Sequence, residues 1–494
     1  MIDQRLWVVL LLTLLCACEG ATESARQATL ELVPCEHKDS PPTVGGSECG
    51  SLALAENPAA PAASTIDIHV LRWPAISAAP QADPIFIIAG GPGQSAIEIA
   101  DFLVGAFYNL RKNRDIVFID QRGTGASHAL VCEQQEQGQA LPLMEYAEVS
   151  HARNLERLRK CAATWAEHAA YYTTDYAVTD LEAVRQALGY EQINLWGASY
   201  GTRVILRYLQ RYPQSLRAVV MDGLAPVHIA LPQYAGRDAE RALQKLSDDC
   251  LAHAECAHAY GNVAEKAQQL AARLAQEPVE IAVPHPLSGQ STAVRLDQEK
   301  LVSLVRFSLY DRLLARLLPH TLSLAEAGDY QVLAALMAQL LNSDSLPNIA
   351  EAMHLTVLCN EDAAAPIATQ SQPFLGVQLQ TPVQEVCDFW PSVAVPEDFY
   401  SVVQSEVPAL LLSGGRDPVT PPPWGEQVLQ HLSAALHLVA PGAHHGVTGE
   451  GCAADLITDF IRDLTLTEEA QQCMQAIQPL LPYVSQAAGE AVSD

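Results

Sequence analysis

The sequence predicts an α/β protein, with an open and mostly parallel sheet flanked by helices and a mainly helical cap inserted before the last strands. Two observations lead to this fold class. Short apolar runs alternate with helical patterns along the chain, as they do in parallel sheets. The stretch between two of these runs, residues 223–407, is 185 residues long. A crossover helix with its loops needs only about 30 residues, so the rest of this stretch predicts an inserted domain.

Seven short runs predict the strands of the sheet. Several are apolar throughout, which is typical of parallel strands buried on both faces. They cover residues 66–71, 85–89, 115–119, 193–196, 218–221, 409–412 and 436–439. Between two of them, residues 175–188 carry apolar side chains at helical spacing, with Thr174 or Asp175 as the expected N-terminal cap.

These runs divide the chain into five predicted segments. They are a signal peptide at 1–17, a polar tether at 18–45, the first part of the α/β core at 46–225, the cap at 226–400 and the second part of the core, with C-terminal helices, at 401–494.

The N-terminus predicts export. An apolar run at residues 6–17 follows Arg5 and is shorter than the roughly 20 residues of a membrane span. Residues 15–18, Leu-Cys-Ala-Cys, resemble the lipobox of bacterial lipoproteins. That resemblance implies that Cys18 is acylated and anchors the protein to a membrane. Glu19 after it favours the periplasmic side of the outer membrane. The alternative is an ordinary secretory signal that is cut nearby.

Composition excludes one class of partner and predicts disulfides. The 29 Lys and Arg residues against 57 Asp and Glu give a net charge of −28, which argues against nucleic acid. In an exported chain, the ten cysteines after Cys18 predict disulfides. Pairing of neighbours in sequence is our hypothesis, although the sequence leaves other pairings open. The neighbouring couples are 35/49, 132/161, 250/256, 359/387 and 452/473. No Cys-x-x-Cys motif is present and the histidines do not lie at ligand spacing beside the cysteines, so we expect no zinc site.

The motif Gly-x-Ser-x-Gly at residues 197–201 indicates a catalytic serine. It follows the predicted strand at 193–196 and precedes a helical run, and its glycines permit the sharp turn that lifts the Ser199 hydroxyl above a sheet. Taken alone, it is equally compatible with a glycine-rich turn whose serine caps a helix.

Two further segments favour the catalytic interpretation. The strand at 85–89 runs into Gly-Gly-Pro-Gly at 90–93, a loop that can direct backbone N–H groups at an oxyanion. Downstream, Asp417 lies just past one predicted strand, and His444 and His445 lie past the next. The order Ser, Asp, His is that of α/β-hydrolases.

At these positions the sequence resembles the serine peptidase family of proline iminopeptidase and tripeptidyl aminopeptidase. Residues 90–93 resemble the family's His-Gly-Gly-Pro-Gly loop, although Ala89 stands where the family often has His. Residues 120–127 (Asp-Gln-Arg-Gly-Thr-Gly-Ala-Ser) match a specific family motif, and residues 197–202 match its nucleophile elbow. Residues from about 380 to 475 resemble the tripeptidyl aminopeptidase branch. The resemblance implies an α/β-hydrolase fold, peptide substrates and no metal or organic cofactor.

The resemblance also assigns roles to individual residues. Ser199 is the expected nucleophile, His445 the general base and Asp417 the acid that orients the imidazole. The backbone N–H groups of Tyr200 and Gly91 are the expected oxyanion hole.

Alternatives remain for some of these positions. His444 competes with His445, and Asp222, also at a strand end, competes with Asp417. In this family, acidic residues near the cap receive the free ammonium of the substrate. The candidates here are Glu361 and Asp362, which could equally be two solvated carboxylates on a loop.

These features together predict an exported serine aminopeptidase that releases a single residue or a tripeptide through an acyl-enzyme. Two alternatives stay open. One is an esterase or lipase that uses the same triad, and the other is a non-catalytic envelope binding protein that kept the fold.

Overall fold

The computed structural model describes residues 30–35, 44–132, 151–284, 289–342, 348–365 and 371–485. The predicted signal peptide at 1–17, the candidate lipid anchor Cys18 and Glu19 lie outside the described residues.

A nine-stranded sheet forms the centre of the described structure, in the order β1-β2-β3-β5-β4-β6-β7-β10-β11. Its strands are β1 (Val33–Pro34), β2 (Glu48–Ala55), β3 (Thr65–Trp73), β4 (Ile85–Ile88), β5 (Ile116–Ile119), β6 (Ile193–Ala198), β7 (Leu216–Asp222), β10 (Ala409–Gly414) and β11 (Ala435–Ala440). The pairs β1–β2, β2–β3 and β3–β5 are antiparallel. The remaining pairs, from β5 to β11 in the sheet order, are parallel. Each of the seven predicted runs lies on one of these strands, so the strand predictions are confirmed.

Helices flank the sheet and fill the long connection before β10. The chain contains α1 (Ala100–Arg111), α2 (His151–Thr164), α3 (Thr174–Ala187), α4 (Tyr200–Arg211), α5 (Leu231–Ala252), α6 (Ala254–Tyr260), α7 (Val263–Gln276), α8 (Gln298–Ser308), α9 (Arg312–Ala315), α10 (Leu318–Glu326), α11 (Gln331–Asn342), α12 (Glu351–Val357), α13 (Thr381–Cys387), α14 (Pro422–Leu429), α15 (Ala453–Asp463) and α16 (Glu468–Gln475). Helices α5 to α13 all lie between β7 and β10, which are neighbours in the sheet.

The cap has an apolar core of its own, separate from the two clusters that pack on the faces of the sheet. Its buried members include Leu243, Leu270, Leu301, Leu322 and Phe374. It also contains an antiparallel hairpin, β8 (Val279–Pro284) with β9 (Ser291–Leu296). The sequence analysis did not predict this hairpin. Exposed and buried side chains alternate over residues 280–283 and 293–296, as in a sheet packed on one side.

The prediction that Thr174 or Asp175 is the N-terminal capping residue of α3 is wrong. The helix is preceded by Thr173, whose side chain makes no capping hydrogen bond. The Thr174 N–H instead donates to Glu361, which comes from the cap 187 residues further along the chain. A carboxylate at a helix N-terminus satisfies an unpaired N–H and interacts favourably with the helix dipole. Glu361, which is distant in sequence, therefore takes the place of a local capping residue.

The described residues contain five disulfides, which confirm the hypothesis that cysteines neighbouring in sequence pair. They join Cys35–Cys49, Cys132–Cys161, Cys250–Cys256, Cys359–Cys387 and Cys452–Cys473. The first ties the residue after β1 to β2, so the segment predicted as a tether at 18–45 contains both a strand and a disulfide cysteine.

Within the described ranges, no helix is both long and apolar enough to cross a bilayer. The same ranges hold no group of three or more His, Cys, Asp or Glu side chains placed to bind a metal ion.

Candidate active site

Ser199 stands on the sharp turn between β6 and α4. Its φ of 54° and ψ of −121° lie in a region that residues other than glycine rarely occupy. Two hydrogen bonds hold it there: the Ser199 N–H donates to the Asp222 carbonyl at 2.8 Å, and the Thr202 hydroxyl donates to the Ser199 carbonyl at 2.6 Å. A Cβ on Gly201 would lie 2.6 Å from the Ile88 carbonyl oxygen, so the helix can approach β4 this closely only with glycine there.

The glycine loop after β4 lies beside this turn. A Cβ on Gly90 would be 3.2 Å from the Ser199 Cβ, and Gly91 has a φ of +103°. Within the described ranges, neither the Gly91 N–H nor the Tyr200 N–H donates to any acceptor. Two unpaired backbone donors on either side of a serine are the arrangement that stabilises a developing oxyanion.

Asp120 holds the segment that directly follows this loop. Its carboxylate accepts from the Ser95 hydroxyl at 2.6 Å, the Ile97 N–H at 3.1 Å and the Ala126 N–H at 3.1 Å. Burial raises the pKa of Asp120, and these three donors oppose that effect. The motif at residues 120–127 therefore holds the segment that directly follows the glycine loop.

The arginine of the same motif is a structural anchor. Arg122 makes a two-pronged ion pair with Asp180 of α3, at 2.6 and 2.7 Å, and it also donates to the carbonyl oxygens of Glu56 and Tyr171. Because the guanidinium is fully buried and these groups occupy it, the motif locks the sheet to α3.

His445 and Asp417 form a hydrogen-bonded pair. The Nδ1 atom of His445 lies 2.8 Å from Oδ2 of Asp417. Asp417 also accepts from the Val419 N–H at 2.7 Å, and from the Thr420 N–H and hydroxyl at 2.8 Å each. Because a carboxylate faces Nδ1, that atom carries the proton, and Nε2 is left as an acceptor.

The two pKa shifts agree with this pairing. Burial opposes the charged form of both groups, but the His445 charge and hydrogen bond leave the pKa of Asp417 below its usual value. In the same way, the Asp417 charge and hydrogen bond outweigh burial and raise the pKa of His445. The Asp417 side chain is fully covered and that of His445 is 17% exposed, so the imidazole is the accessible end of the pair.

The serine turn and the histidine both lie beside the end of β7. The Ser199 N–H bonds to the carbonyl of Asp222, the last residue of β7. The next residue is Gly223, where a Cβ would lie 2.9 Å from the Thr420 hydroxyl and 3.4 Å from Cε1 of His445. The serine follows β6, the acid follows β10 and the histidine follows β11. The carboxyl ends of these strands, grouped around that of β7, thus bring the three residues to one edge of the sheet.

The two rival residues have other partners. The Asp222 carboxylate accepts from the N–H groups of Val447 and Thr448, at 2.7 to 2.8 Å, and from the Thr448 hydroxyl at 2.7 Å. It thereby fastens the loop that follows His445. The His444 Nδ1 lies 2.7 Å from the Leu309 carbonyl oxygen of the cap.

Glu361 is buried in a π-helical turn, Leu358–Asp362, that follows α12. Its two oxygens accept from the N–H and the hydroxyl of Thr174, at 2.7 Å each. The same hydroxyl lies 2.7 Å from the hydroxyl of Tyr200, the residue after Ser199. Burial raises the pKa of Glu361 to about 7, against the opposing effects of the Arg203 charge and the Thr174 bonds.

Asp362 is paired within the protein. Its oxygens accept from both terminal nitrogens of Arg203, at 3.0 and 2.9 Å, and from the Leu231 N–H at 3.1 Å. The predicted pair of acids is therefore one site in sequence but two different environments in space, and neither is solvated, since Glu361 is 1% and Asp362 2% exposed.

The sequence analysis did not identify three side chains that shape the site. Thr420 bonds Asp417, Thr174 joins Glu361 to Tyr200, and the Tyr310 ring lies 5.2 Å from the His445 ring. Thr420 had a local signal, because it stands three residues after the acid in an Asp-Pro-Val-Thr turn. Tyr310 had none, because the folding of the cap over the sheet brings it there.

Comparison with known proteins identifies the family. A family model described as the alpha/beta hydrolase fold matches residues 83–450. The chain belongs to this family. It is 25% identical to serine protease Hip1 of Mycobacterium tuberculosis over 484 residues, which covers 90% of this chain and 91% of that protein. It is also 29% identical to tripeptidyl aminopeptidase of Streptomyces lividans over 146 residues, or 27% of each chain.

Two further similarities are of the same kind. Proline iminopeptidase of Neisseria gonorrhoeae is 27% identical over 158 residues, which is 32% of this chain and 37% of that one. Among solved structures, proline iminopeptidase from Mycobacterium smegmatis superposes with a TM-score of 0.38 at 15% identity, over 84% of this chain and 98% of that one. The predicted fold and family are confirmed, and the chain is a serine hydrolase with peptidase relatives.

Proposed function

We propose that this α/β hydrolase is an exported serine aminopeptidase that removes a short N-terminal fragment from peptides through an acyl-enzyme on Ser199. The observation that carries the proposal is the hydrogen-bonded Asp417–His445 pair, 2.8 Å apart, at the strand ends where the Ser199 turn lies. The named relatives, a serine protease and two aminopeptidases, support the peptide substrate class.

The chemistry follows from the tautomer of the histidine. Nε2 of His445 takes the proton of Ser199 as its oxygen attacks the scissile carbonyl, and the resulting imidazolium protonates the leaving amine. Asp417 stays ionised and stabilises the imidazolium. Water then attacks the ester by the same route and releases the fragment. The N–H groups of Gly91 and Tyr200 bond the oxyanion, and losing one such donor costs about 3 to 4 kcal/mol.

Glu361 is the better of the two candidates for the substrate ammonium. Arg203 already neutralises Asp362. Within the described ranges, Glu361 has no cation at ion-pair distance, and its pKa is raised to about 7. An ammonium would supply the missing counter-charge and hold this carboxylate ionised. Because Glu361 is 1% exposed, the proposal requires that an approach to this carboxylate opens when the substrate binds.

Export and membrane attachment belong to the same proposal. The five disulfides of the described residues join cysteines that are 6 to 29 positions apart in sequence, and they support an oxidising compartment. Acylation of Cys18 would then hold the enzyme at the periplasmic side of the outer membrane, with peptides as substrates and no nucleic-acid partner.

The decisive measurement is kcat/KM for matched free and N-acetylated peptide anilides. Acetylation removes the ammonium and leaves a buried acid unpaired, a penalty of about 2 to 5 kcal/mol. We therefore expect a loss of roughly 30-fold to several thousand-fold in kcat/KM. Glu361→Gln should abolish most of this discrimination. Glu351→Gln is the matched control, because Glu351 is on α12 of the same cap and pairs with Arg157.

Three results would contradict parts of this proposal. Equal rates on free and blocked anilides would remove the aminopeptidase and leave an endopeptidase or esterase. Turnover of p-nitrophenyl esters with no turnover of any anilide would leave the esterase alone. Discrimination that survives both Glu361→Gln and Asp362→Asn would keep the aminopeptidase but move its ammonium site elsewhere.

A further inference from the structure

Arg306 is a cap arginine near the candidate catalytic histidine. It lies in the last turn of α8. Its guanidinium carbon is 5.5 Å from the centre of the Tyr310 ring, and that ring centre is 5.2 Å from the His445 ring centre. The guanidinium is therefore at most 10.7 Å from the imidazole.

The backbone also holds this segment against the histidine. The His445 N–H donates to the Tyr310 carbonyl at 3.1 Å, and His444 bonds the Leu309 carbonyl at 2.7 Å. The position of α8 relative to the catalytic edge is thus fixed by two hydrogen bonds and one ring contact, so Arg306 stays beside the reaction centre.

The charge of Arg306 has no acidic partner in the part of the chain that the structure describes. No ion pair involves it there, and its Nε is buried without a hydrogen-bond acceptor. Two other arginines have acidic partners: Arg312 of the cap pairs with Glu450, and Arg416 of the core pairs with Asp249. Arg316 of the cap makes no ion pair in the described ranges, as Arg306 does not, but only Arg306 lies over the ring that contacts His445. The Asp417 carboxylate is already bonded to His445 and to Thr420.

We propose that Arg306 is a specificity-determining residue that receives a carboxylate on the leaving part of the substrate, next to the scissile bond. His445 protonates the leaving amine, so a cation beside His445 faces the leaving part and not the acyl part. A guanidinium binds a carboxylate through paired N–H donors. The proposal rests on the proposed function for its peptide substrates, but the recognition itself applies to any leaving group.

The net charge of the protein opposes the binding of an acidic substrate. At −28, the protein as a whole repels an acidic substrate. Salt screens that repulsion over about 8 Å, whereas a contact with Arg306 is not screened in this way. A preference for an acidic leaving part would therefore have to come from a local cation.

The test compares substrates that differ only by one charge. The substrates are peptides with Glu or Gln directly after the scissile bond. Their hydrolysis is measured with the wild type, Arg306→Gln, Arg306→Lys and Lys300→Gln. Lys300→Gln is the control, because Lys300 is on the same helix and already pairs with Asp297. We expect the wild type and the control to favour Glu by roughly 10-fold to 100-fold in kcat/KM, as one charge-assisted hydrogen bond provides. Arg306→Gln should bring the ratio close to one, and Arg306→Lys should keep part of it.

The ratio separates recognition from a structural role. If Arg306 only stacks on Tyr310, its loss lowers the rates on both peptides equally, and the ratio survives, which would overturn the proposal. A wild-type ratio near one would overturn it without any variant, so a poorly folded Arg306→Gln does not block the test.

A second pair of substrates separates this inference from the proposed function. These are acetyl esters of 3-carboxyphenol and 3-carbamoylphenol, which place a carboxylate or a neutral amide on the leaving group. If the enzyme cleaves these esters but no peptide, the aminopeptidase proposal fails, and the ester ratio in wild type and Arg306→Gln still decides the role of Arg306.

Discussion

Replacing Asp417 by Asn tests the catalytic site most directly, because it keeps the shape of the side chain and removes its charge. In the native protein Asp417 Oδ2 accepts from Nδ1 of His445 at 2.8 Å. An amide that turns its NH₂ toward Nδ1 needs an acceptor there, so the imidazole is driven to the tautomer that carries its proton on Nε2. That tautomer cannot take the proton of Ser199.

The expected loss is therefore large in turnover and small in stability. A wrong tautomer in an otherwise intact triad lowers kcat by about 10⁴-fold, which is about 5.5 kcal/mol of transition-state stabilisation. The amide oxygen of the new side chain can still accept from the N–H groups of Val419 and Thr420. We expect the midpoint of thermal unfolding to change by only a few degrees.

Asp222→Asn is the matched control, because it makes the same change at the rival acid. Asp222 binds Val447 and Thr448 through four short contacts, and a single amide oxygen can replace only part of them. Bonds to charged groups contribute about 1.5 to 3 kcal/mol each. This variant should lose several degrees of unfolding midpoint and less than about 100-fold in kcat.

The pH profile gives an independent readout. The Asp417 charge raises the pKa of His445, and the base works only when neutral. In the wild type kcat/KM should fall as the pH drops through this raised pKa. Without the Asp417 charge the pKa of His445 falls, so the residual activity of Asp417→Asn should show its acid limb at lower pH. A larger kcat loss at Asp222→Asn than at Asp417→Asn, or an acid limb that moves to higher pH, would refute the assignment.

Three further predictions concern other parts of the molecule. Ser199→Ala should lower kcat by several orders of magnitude with an unchanged unfolding midpoint, and near-normal turnover would exclude Ser199 as the nucleophile. Replacing Cys359 and Cys387 together by Ser opens a link that spans 28 residues, so it should cost about 3 to 4 kcal/mol and lower the unfolding midpoint by several degrees; an unchanged midpoint would mean that the link does not stabilise the native state. Cys18→Ser should move the enzyme from the membrane fraction to the soluble periplasm, and an unchanged distribution would argue for a plain secretory signal.

The strands and the order of the site residues could be predicted because their signals are local. Buried parallel strands are continuous apolar runs, and β4 and β5 are buried at every position. The motif around Ser199 needs its glycines for a turn that only a strand followed by a helix uses. The disulfides follow the same logic, since each joins neighbours in sequence.

The residues of the cap that meet the site could not be predicted in this way. Tyr310, Arg306 and Glu361 lie near the candidate active site, although they come more than 100 residues after Ser199 along the chain. The stretches around them show only the apolar spacing of ordinary helices. The sequence also gave no reason to separate Glu361 from Asp362, although one is held by Thr174 and the other by Arg203.

The α/β class, the inserted cap, the serine turn and the two candidate acids and histidines follow from the sequence alone, because apolar periodicity and turn chemistry act between residues close in the chain. The tertiary structure shows which partners each candidate has. It placed Asp417 on His445 and used Asp222 to hold the loop beside it. Hydrogen bonding and burial depend on which chain segments meet in space. In the sequence, Asp417 and Asp222 look alike because each lies at or just past a predicted strand end. Their different partners become visible only once the strands β7 and β10 are paired and the loops after them are in place.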